Sequence, residues 1–384
     1  MSERHVGSWV KQFWHRKKDR RSRGGTLSKT VLALAVLWLV FAITHEILTG
    51  RFWLWVVPGV SPPILFAAVP LVLAILTVFI RSYRGAVFLT ALAAFVVSMP
   101  STGLNFSVLT HRAQAVQPGL AVSVVQMNTD YWGQLRDGTL TDPRDRDAML
   151  AYLRSLDADV YLLQEHMQRV GDTAPPVTDL SDVAEVFPEY QAIAAGTLLT
   201  LSRLPVSEHA VVRSDNPSIL QLPPPPYALK VDVRVGGRVL STYNIHMPIQ
   251  IIIEKNWLSW DFYNEIRRRH SIRKDEFAAL TAEVSRNQSP LVVAGDFNTS
   301  PAMGDNRGLL AVSQDAAAFS SIVYPATWRV GGQLPKLWRN DWFLIRNDIR
   351  VDRFEQLDPQ GNSDHLAQFV GLTLTDQPED APAR

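Results

Sequence analysis

The 384-residue chain contains no cysteine, which excludes disulfides, thiolate metal sites and cysteine nucleophiles. That absence is also compatible with an oxidising compartment. No G-x-S-x-G elbow is present, so Ser/His/Asp nucleophilic chemistry lacks its usual sequence signature. No internal repeat is evident, and the net charge is small at +1. That near-neutrality hides an asymmetry. Residues 1–103 carry 12 Lys/Arg against three acids, Glu3, Asp19 and Glu46, which leaves 26 basic and 34 acidic residues beyond them. A basic head precedes a body with a formal balance of −8.

The first 29 residues are polar and basic, densest at Arg16–Arg23. A nucleic-acid arm is one reading; a cytoplasmic flank is preferred, because an apolar run begins at Thr30. Thr30–Ile47 and Ser61–Ile80 meet the span length of about 20 apolar residues; Gly85–Ser98, extendable toward Leu109, is weaker. No small-x-small cleavage site follows the first run, so it is not read as a signal peptide. The expectation is a tail (1–29), a three-helix transmembrane anchor (30–109), a catalytic body (119–374) and a disordered tail (375–384). The basic head and Arg81–Arg84 then lie on the cytoplasmic side of the cell membrane, and three spans place the body outside the cytoplasm.

Beyond the linker Thr110–Gly119 the pattern turns to alternation. Strands are expected over Ala121–Asn128, Asp159–Leu163, Tyr190–Ala195, Leu198–Ser202, Tyr227–Val235 and Arg238–His246, the last two joined at Gly236-Gly237. Helices are expected at Pro143–Leu156, Ser181–Phe187, up to about Val284 and near Asn306–Val312. Pro223–Pro226 reads as an extended spacer. Leu291–Pro301, LVVAGDFNTSP, is a buried strand ending in Gly295-Asp296-Phe297-Asn298. Alternate side chains share a face, so Asp296 and Asn298 project together and Phe297 points into the core. Two more strands flank Arg346-Asn347, and the last begins at Ser363.

Five strand ends thus carry Asn128, Glu165, His246, Asp296 with Asn298, and Asp364 with His365, while Asp341 opens an apolar strand. Singly, each fits a turn, a surface acid or a structural histidine. Together, at the same end of successive strands, they converge on one cleft. Carboxylates and carboxamides without thiolates suit a hard cation, Mg²⁺ or else Mn²⁺ or Ca²⁺, and the histidines suit proton transfer and phosphate contact.

The ordered motifs Asn128, Gln164-Glu165, Ser202–Pro205, Asn244 with His246, Gly295–Asn298, Asn340-Asp341 and Ser363–His365 resemble the endonuclease/exonuclease/phosphatase superfamily over residues 119–374. The resemblance implies an α/β fold, a DNase I-like four-layer α/β/β/α sandwich, and a divalent-metal phosphohydrolase. It makes Glu165 the main Mg²⁺ ligand, with Asn128 close by and Asp364 supporting the ion through water. Asp341 orients His365 and the pair activates the attacking water, which Asp296 positions; Asn298 and His246 hold phosphate oxygens. Two departures are Asn340, where the family carries an apolar residue, and the long aromatic segment after His246.

That segment, Ile251–Tyr263, reads either as core packing of a longer helix or as a lip dipping into the membrane interface. The second reading makes membrane lipids a partner and the substrate a lipid-linked or envelope phosphoester. The acidic body disfavours nucleic acid, although Arg267–Arg269 with Arg273-Lys274 is a candidate basic groove. An extracytoplasmic nuclease is the second reading. A catalytically silent receptor or scaffold is the third, and no protein partner is expected.

Overall fold

Strands apolar on both faces must be covered on both faces, and two six-stranded sheets packed face to face satisfy this. The computed structural model describes all residues except 1–3, 111–117, 134, 137–138, 141–144, 169–173, 217–225, 253–254, 331–334 and 376–384; side chains are described from residue 25, those of 133, 135–136, 139–140 and 145 excepted. The proline spacer except Pro226, most of the linker and nearly all of the carboxyl-terminal tail fall outside the described residues.

The first sheet runs β13 (Ile349–Leu357), β14 (Ala367–Thr375), β1 (Gly119–Asn128), β4 (Val160–Gln164), β6 (Leu198–Ser202), β5 (Gln191–Ala195). The second runs β11 (Gln314–Asp315), β12 (Asp341–Arg346), β10 (Leu291–Asp296), β9 (Arg238–His246), β8 (Ala228–Val235), β7 (Val206–Val211). A separate small hairpin pairs β2 (Leu135–Arg136) with β3 (Thr139–Leu140). Two parallel pairings decide where the polar residues meet. β1 and β4 run parallel with Asn128 opposite Gln164, and β9 and β10 run parallel with His246 opposite Asp296. β12 pairs antiparallel to β10, so its first residue, Asp341, also faces Asp296.

Val122, Val124, Leu162, Val231, Leu240, Val292, Phe343 and Val370 interdigitate between the sheets. The outer face of the first sheet is covered by Met149, Leu150 and Leu153 of the helix Asp145–Ser155, packed on Met127, Tyr161 and Leu163. The outer face of the second is covered by Phe277, Leu280 and Val284 of the helix Trp260–Arg286, packed on Tyr243, Ile245 and Val293. The result is the expected α/β/β/α layering. Gly236 and Gly237 make the expected two-residue turn, Val235 pairing Arg238. Gly295 sits at φ 148°, and a Cβ there would meet the Ile245 carbonyl oxygen at 2.0 Å, so only glycine lets β9 and β10 pair here. The edge strand β7 was unforeseen: it is exposed on nearly every residue, so no apolar alternation marks it.

In the head, two helices, Gly25–Leu48 and Arg84–Ser101, are long and apolar enough to cross a membrane. The Ser61–Ile80 run, expected to span outright, forms a helix only over Leu65–Leu76. Its 12 residues rise about 18 Å, against about 30 Å of hydrocarbon. Pro62 and Pro63 delay its start, and the Gly85 run, expected to be weaker, is the longer helix. The head is bonded to the body. Ala302 O accepts from His45 Nε2 and Thr49 Oγ1, both at 2.8 Å, and Glu46 pairs with Arg307. Trp338 Nε1 donates to Val60 O at 2.9 Å, and Asn105 Nδ2 to Ala317 O at 2.8 Å.

Candidate active site

Each strand-end residue arrives at the same end of the sandwich, and all eight expected site residues join one network. Asn128 Nδ2 bridges the sheets, donating to Glu165 Oε1 at 3.1 Å and to Asp296 Oδ2 at 3.0 Å. His365 Nδ1 lies 2.7 Å from Asp341 Oδ2, which fixes the ring and leaves Nε2 3.9 Å from Asp296 Oδ2 and 3.7 Å from Asp364 Oδ1. His246 Nε2 lies 3.7 Å from Glu165 Oε1. Asn298 donates its backbone N–H to Asp296 Oδ1 at 2.8 Å, and its Nδ2 donates to Met247 O at 2.9 Å. Phe297 points into the core, as alternation requires. Glu165 (φ 55°) and Asn298 (φ 47°) both adopt left-handed backbone, local strain that the surrounding bonds hold in place.

Several members of the network carry no motif. Gln126, one strand repeat before Asn128 and fully buried, donates from Nε2 to Asp341 Oδ1 at 2.9 Å and to Gln164 Oε1 at 3.0 Å. Its position two residues before Asn128 in β1 is the only signal that could have found it. Asp130, two residues after Asn128, faces Asp364, Glu165 and His365 electrostatically. Thr197 Oγ1 lies 3.2 Å from His246 Nδ1, and Trp328 Nε1 donates to Asp364 Oδ2 at 2.7 Å. These two come from loops remote in sequence, and nothing local marks them. Asn244 is a cross-sheet strut: Nδ2 donates to Leu163 O and Leu199 O, both at 3.0 Å, while Oδ1 accepts from Gln164 Nε2 at 2.7 Å.

The electrostatics are those of crowded acids. Burial pushes Glu165 up to about 7, Asp364 adding to it, and pushes Asp296 up to about 7. Asp130 rises to about 8 through burial and then through Asp364 and Glu165. Burial alone would lower His365, but Asp341, Asp364 and Asp296 outweigh it and hold the imidazole well above its usual value. Burial would raise Asp341, yet His365 and the hydrogen bonds carry it below the ordinary carboxylate range. His246 drops to about 4 by burial and by the nearby His365, which outweigh Asp341.

A surplus of buried carboxylate is what a divalent cation relieves, and oxygen donors alone suit a hard one. The tightest group of potential ligands among the described residues is Asp296, Asp341 and His365, their ligand atoms within 4.8 Å of one another, rather than the expected Glu165, Asn128 and Asp364. Both Asp341 oxygens already accept hydrogen bonds, and His365 Nδ1 is committed to one of them. Asp296 is likewise engaged at both oxygens, by Asn128 Nδ2 and the Asn298 N–H. The less committed donors are Glu165, Asp130 and Asp364, and they fit such an ion. The candidate basic groove is largely spent internally. Arg268 and Arg269 both bind Glu265, and Arg273 is fully buried on Asp305 at 2.9 Å.

Similar architecture occurs in solved structures. An endonuclease/exonuclease/phosphatase from Beutenbergia cavernae is 15% identical, with 68% of this chain and 73% of that chain covered and a TM-score of 0.48. D. rerio TDP2, humanized by 14 mutations, is 15% identical over 66% of this chain and 99% of its own, with a TM-score of 0.46. The human Nocturnin catalytic domain with bound sulfate is 15% identical over 68% and 97%, with a TM-score of 0.44. No curated protein matches the chain. The sequence profile of the Endonuclease/Exonuclease/phosphatase family matches residues 125–365, from the middle of β1 to His365, and the chain belongs to that family.

Proposed function

We propose that the chain is a membrane-anchored, divalent-metal-dependent phosphoester hydrolase, its body outside the cytoplasm, acting on a lipid-linked or envelope phosphoester. The observation that carries the hydrolytic reading is the buried Asp341–His365 pair, whose free Nε2 faces Asp296 across 3.9 Å. A water lodged between them would be oriented by both, its proton passing to Asp296 as the water attacks phosphorus. Asp341 holds the imidazole in register, and Gln126 holds Asp341. His246 and Asn298 would contact the non-bridging oxygens. Glu165 would hold the cation, with Asn128, Asp364 and the unforeseen Asp130 beside it. When bound, the cation, Mg²⁺ foremost and Mn²⁺ or Ca²⁺ as alternatives, would draw charge from the phosphoryl oxygens and ease departure of the leaving oxygen.

Anchoring is supported by the outward faces of the two long helices, where Leu37 and Leu89 are each 65% exposed. The carboxyl ends of both helices meet the body, and Ser82 N lies 3.4 Å from Ser28 Oγ at the far end. The chain from Val60, held by Trp338, leads back to Ser82 at the far end, which supports reading it as a third pass despite its short helix. Arg81 and Arg84 lie at the far end, where the first span begins after the basic stretch of the sequence, and the positive-inside rule assigns that end to the cytoplasm. The internally paired Arg268, Arg269 and Arg273 favour a lipid-linked substrate over nucleic acid.

Purified full-length protein in detergent, given phospholipids, plasmid DNA or a chromogenic phosphodiester with Mg²⁺ or EDTA, tests the substrate assignment. Cation-dependent turnover of the phospholipid and the chromogenic ester supports it. Turnover of DNA without lipid makes the protein a nuclease, and turnover of nothing makes it a silent scaffold.

A further inference from the structure

In the body, residues 119–375, the three most exposed large apolar side chains among the described residues fall within four positions: Trp257 at 66%, Leu258 at 75% and Trp260 at 82%. Core packing by a longer helix, the competing reading of this segment, does not describe them. The helix begins only at Trp260, and its buried face starts at Phe262 and Ile266. The tip is held in shape. Leu258 N donates to Asn256 Oδ1 at 3.0 Å, Ser259 Oγ donates to Asn256 O at 2.7 Å, and Ser259 Oγ caps the helix by accepting from Phe262 N at 3.2 Å. A short polar turn thus displays two indoles and a leucine outward, at the cost of leaving them in water.

Their place relative to the anchor identifies what covers them. Phe262 and Ile266, within two helical turns of Trp260, pack on Val56, with Trp53, Val60, Ile251 and Tyr263 around them. Trp53 and Tyr263 meet edge to face at 6.5 Å. Trp53 and Val56 follow the end of the span Gly25–Leu48 by only a few residues, so the tip stands at the level where that helix leaves the hydrocarbon. The exit of the other long helix shows the same feature. Asn105, four residues beyond it, donates its backbone N–H at 2.8 Å to Val323 O, and Val323 is the next most exposed large apolar side chain of the body, at 56%. Apolar exposure on the body therefore gathers beside the two points where long apolar helices end.

We infer that the turn Trp257–Trp260 is a bilayer-contact lip, seated in the headgroup and upper acyl region of the membrane that holds the anchor. Tryptophan suits that depth, with an apolar ring and one N–H donor. The lip is continuous with the wall of the site: Met247 O accepts from Asn298 Nδ2, Gln250 Nε2 donates to Asn298 O, and Ile249 O accepts from Arg269. Seating it fixes the mouth of the site at the membrane surface, where a lipid-linked phosphoester presents its phosphate.

The inference rests on the anchored reading, and the test separates the two. The cysteine-free chain allows single nitroxide labels at Leu37→Cys in the first span, Leu258→Cys on the lip and His209→Cys on the exposed edge strand β7. In full-length protein reconstituted in phosphatidylcholine–phosphatidylglycerol bilayers, accessibility to oxygen and to a water-soluble nickel chelate gives each label's depth. Labels at 37 and 258 shielded from nickel, with 209 open to it, establish the lip. Label 258 as open as 209, with 37 shielded, overturns the lip and leaves the anchor standing. All three open overturns both. As a second readout, Trp257→Ser with Trp260→Ser lowers turnover of a bilayer-borne phosphoester about tenfold and leaves that of a soluble ester unchanged. Equal loss on both esters contradicts the lip.

Discussion

Asp341→Asn probes the geometry on which the proposed chemistry depends. Asp341 is fully buried and accepts from two side-chain donors, His365 Nδ1 at 2.7 Å and Gln126 Nε2 at 2.9 Å. An asparagine offers one oxygen and one NH₂ group, so one donor must face another donor or the imidazole must change tautomer. Losing a buried hydrogen bond to a charged group costs about 1.5–3 kcal/mol. Losing the fixed ring should cost kcat/KM about 10²–10⁴-fold, the range expected when a general acid–base group is misplaced. The pH dependence has a defined sign. Asp341 is lowered in the fold, so its stabilisation is present above its unfolded value of 3.8 and is lost as pH falls through the lower folded value. His365 is raised, so its share is present below 6.5 and is lost as pH rises through the higher folded value. The wild type should therefore melt well above the variant between these limits, and the gap should close in strong acid. Thermal unfolding across pH, with kcat/KM on a chromogenic phosphodiester, measures both effects. A variant within threefold of wild-type kcat/KM would refute the assigned role of the pair.

Three further outcomes follow from the same contacts. Because Glu165 and Asp296 rise to about 7 and Asp130 to about 8, the ion-free fold loses stability as pH climbs through those values; an ion near 100 times its Kd should return about 2.7 kcal/mol, and its Tm shift, read by differential scanning fluorimetry, should be larger at about pH 8 than at about pH 6. Arg273→Met strips Asp305 of its partner and frees Phe297 O and Thr299 behind the Gly295–Asn298 turn, so it should destabilise by about 3–5 kcal/mol in denaturant unfolding. Gly295→Ala drives a Cβ into the Ile245 carbonyl and should cost at least about 3 kcal/mol, or prevent folding, seen as lost expression of folded protein.

The site was legible because Asn128, Glu165, His246, Asp296 and His365 fall at strand ends and Asp341 opens a strand. Which strands run parallel is not written in the sequence, so their meeting was an inference that the parallel pairings of β1 with β4 and β9 with β10 account for. Gln126 hid because it lies one strand repeat before Asn128, where alternation places it on the same side but no motif marks it; Asp130 hid because it sits past the end of β1, at φ 46°, where strand alternation no longer applies. Thr197 and Trp328 reach the site from loops whose course depends on tertiary packing. The edge strand β7 carries exposed residues at nearly every position, so it lacked the periodicity that betrayed β8 and β9. In the head, composition showed three apolar runs but not where prolines would shorten the middle helix to Leu65–Leu76.

The central claim is that the clustered acids and histidines form one cation-assisted phosphoester site. The most direct measurement is hydrolysis of a chromogenic phosphodiester by full-length protein and its Glu165→Gln variant, each with Mg²⁺, with EDTA and after Mg²⁺ is restored. The account predicts turnover that EDTA abolishes and Mg²⁺ restores, and a variant at least about a hundredfold slower with an unchanged unfolding profile. Turnover indifferent to EDTA, or a variant as fast as the wild type, would contradict it.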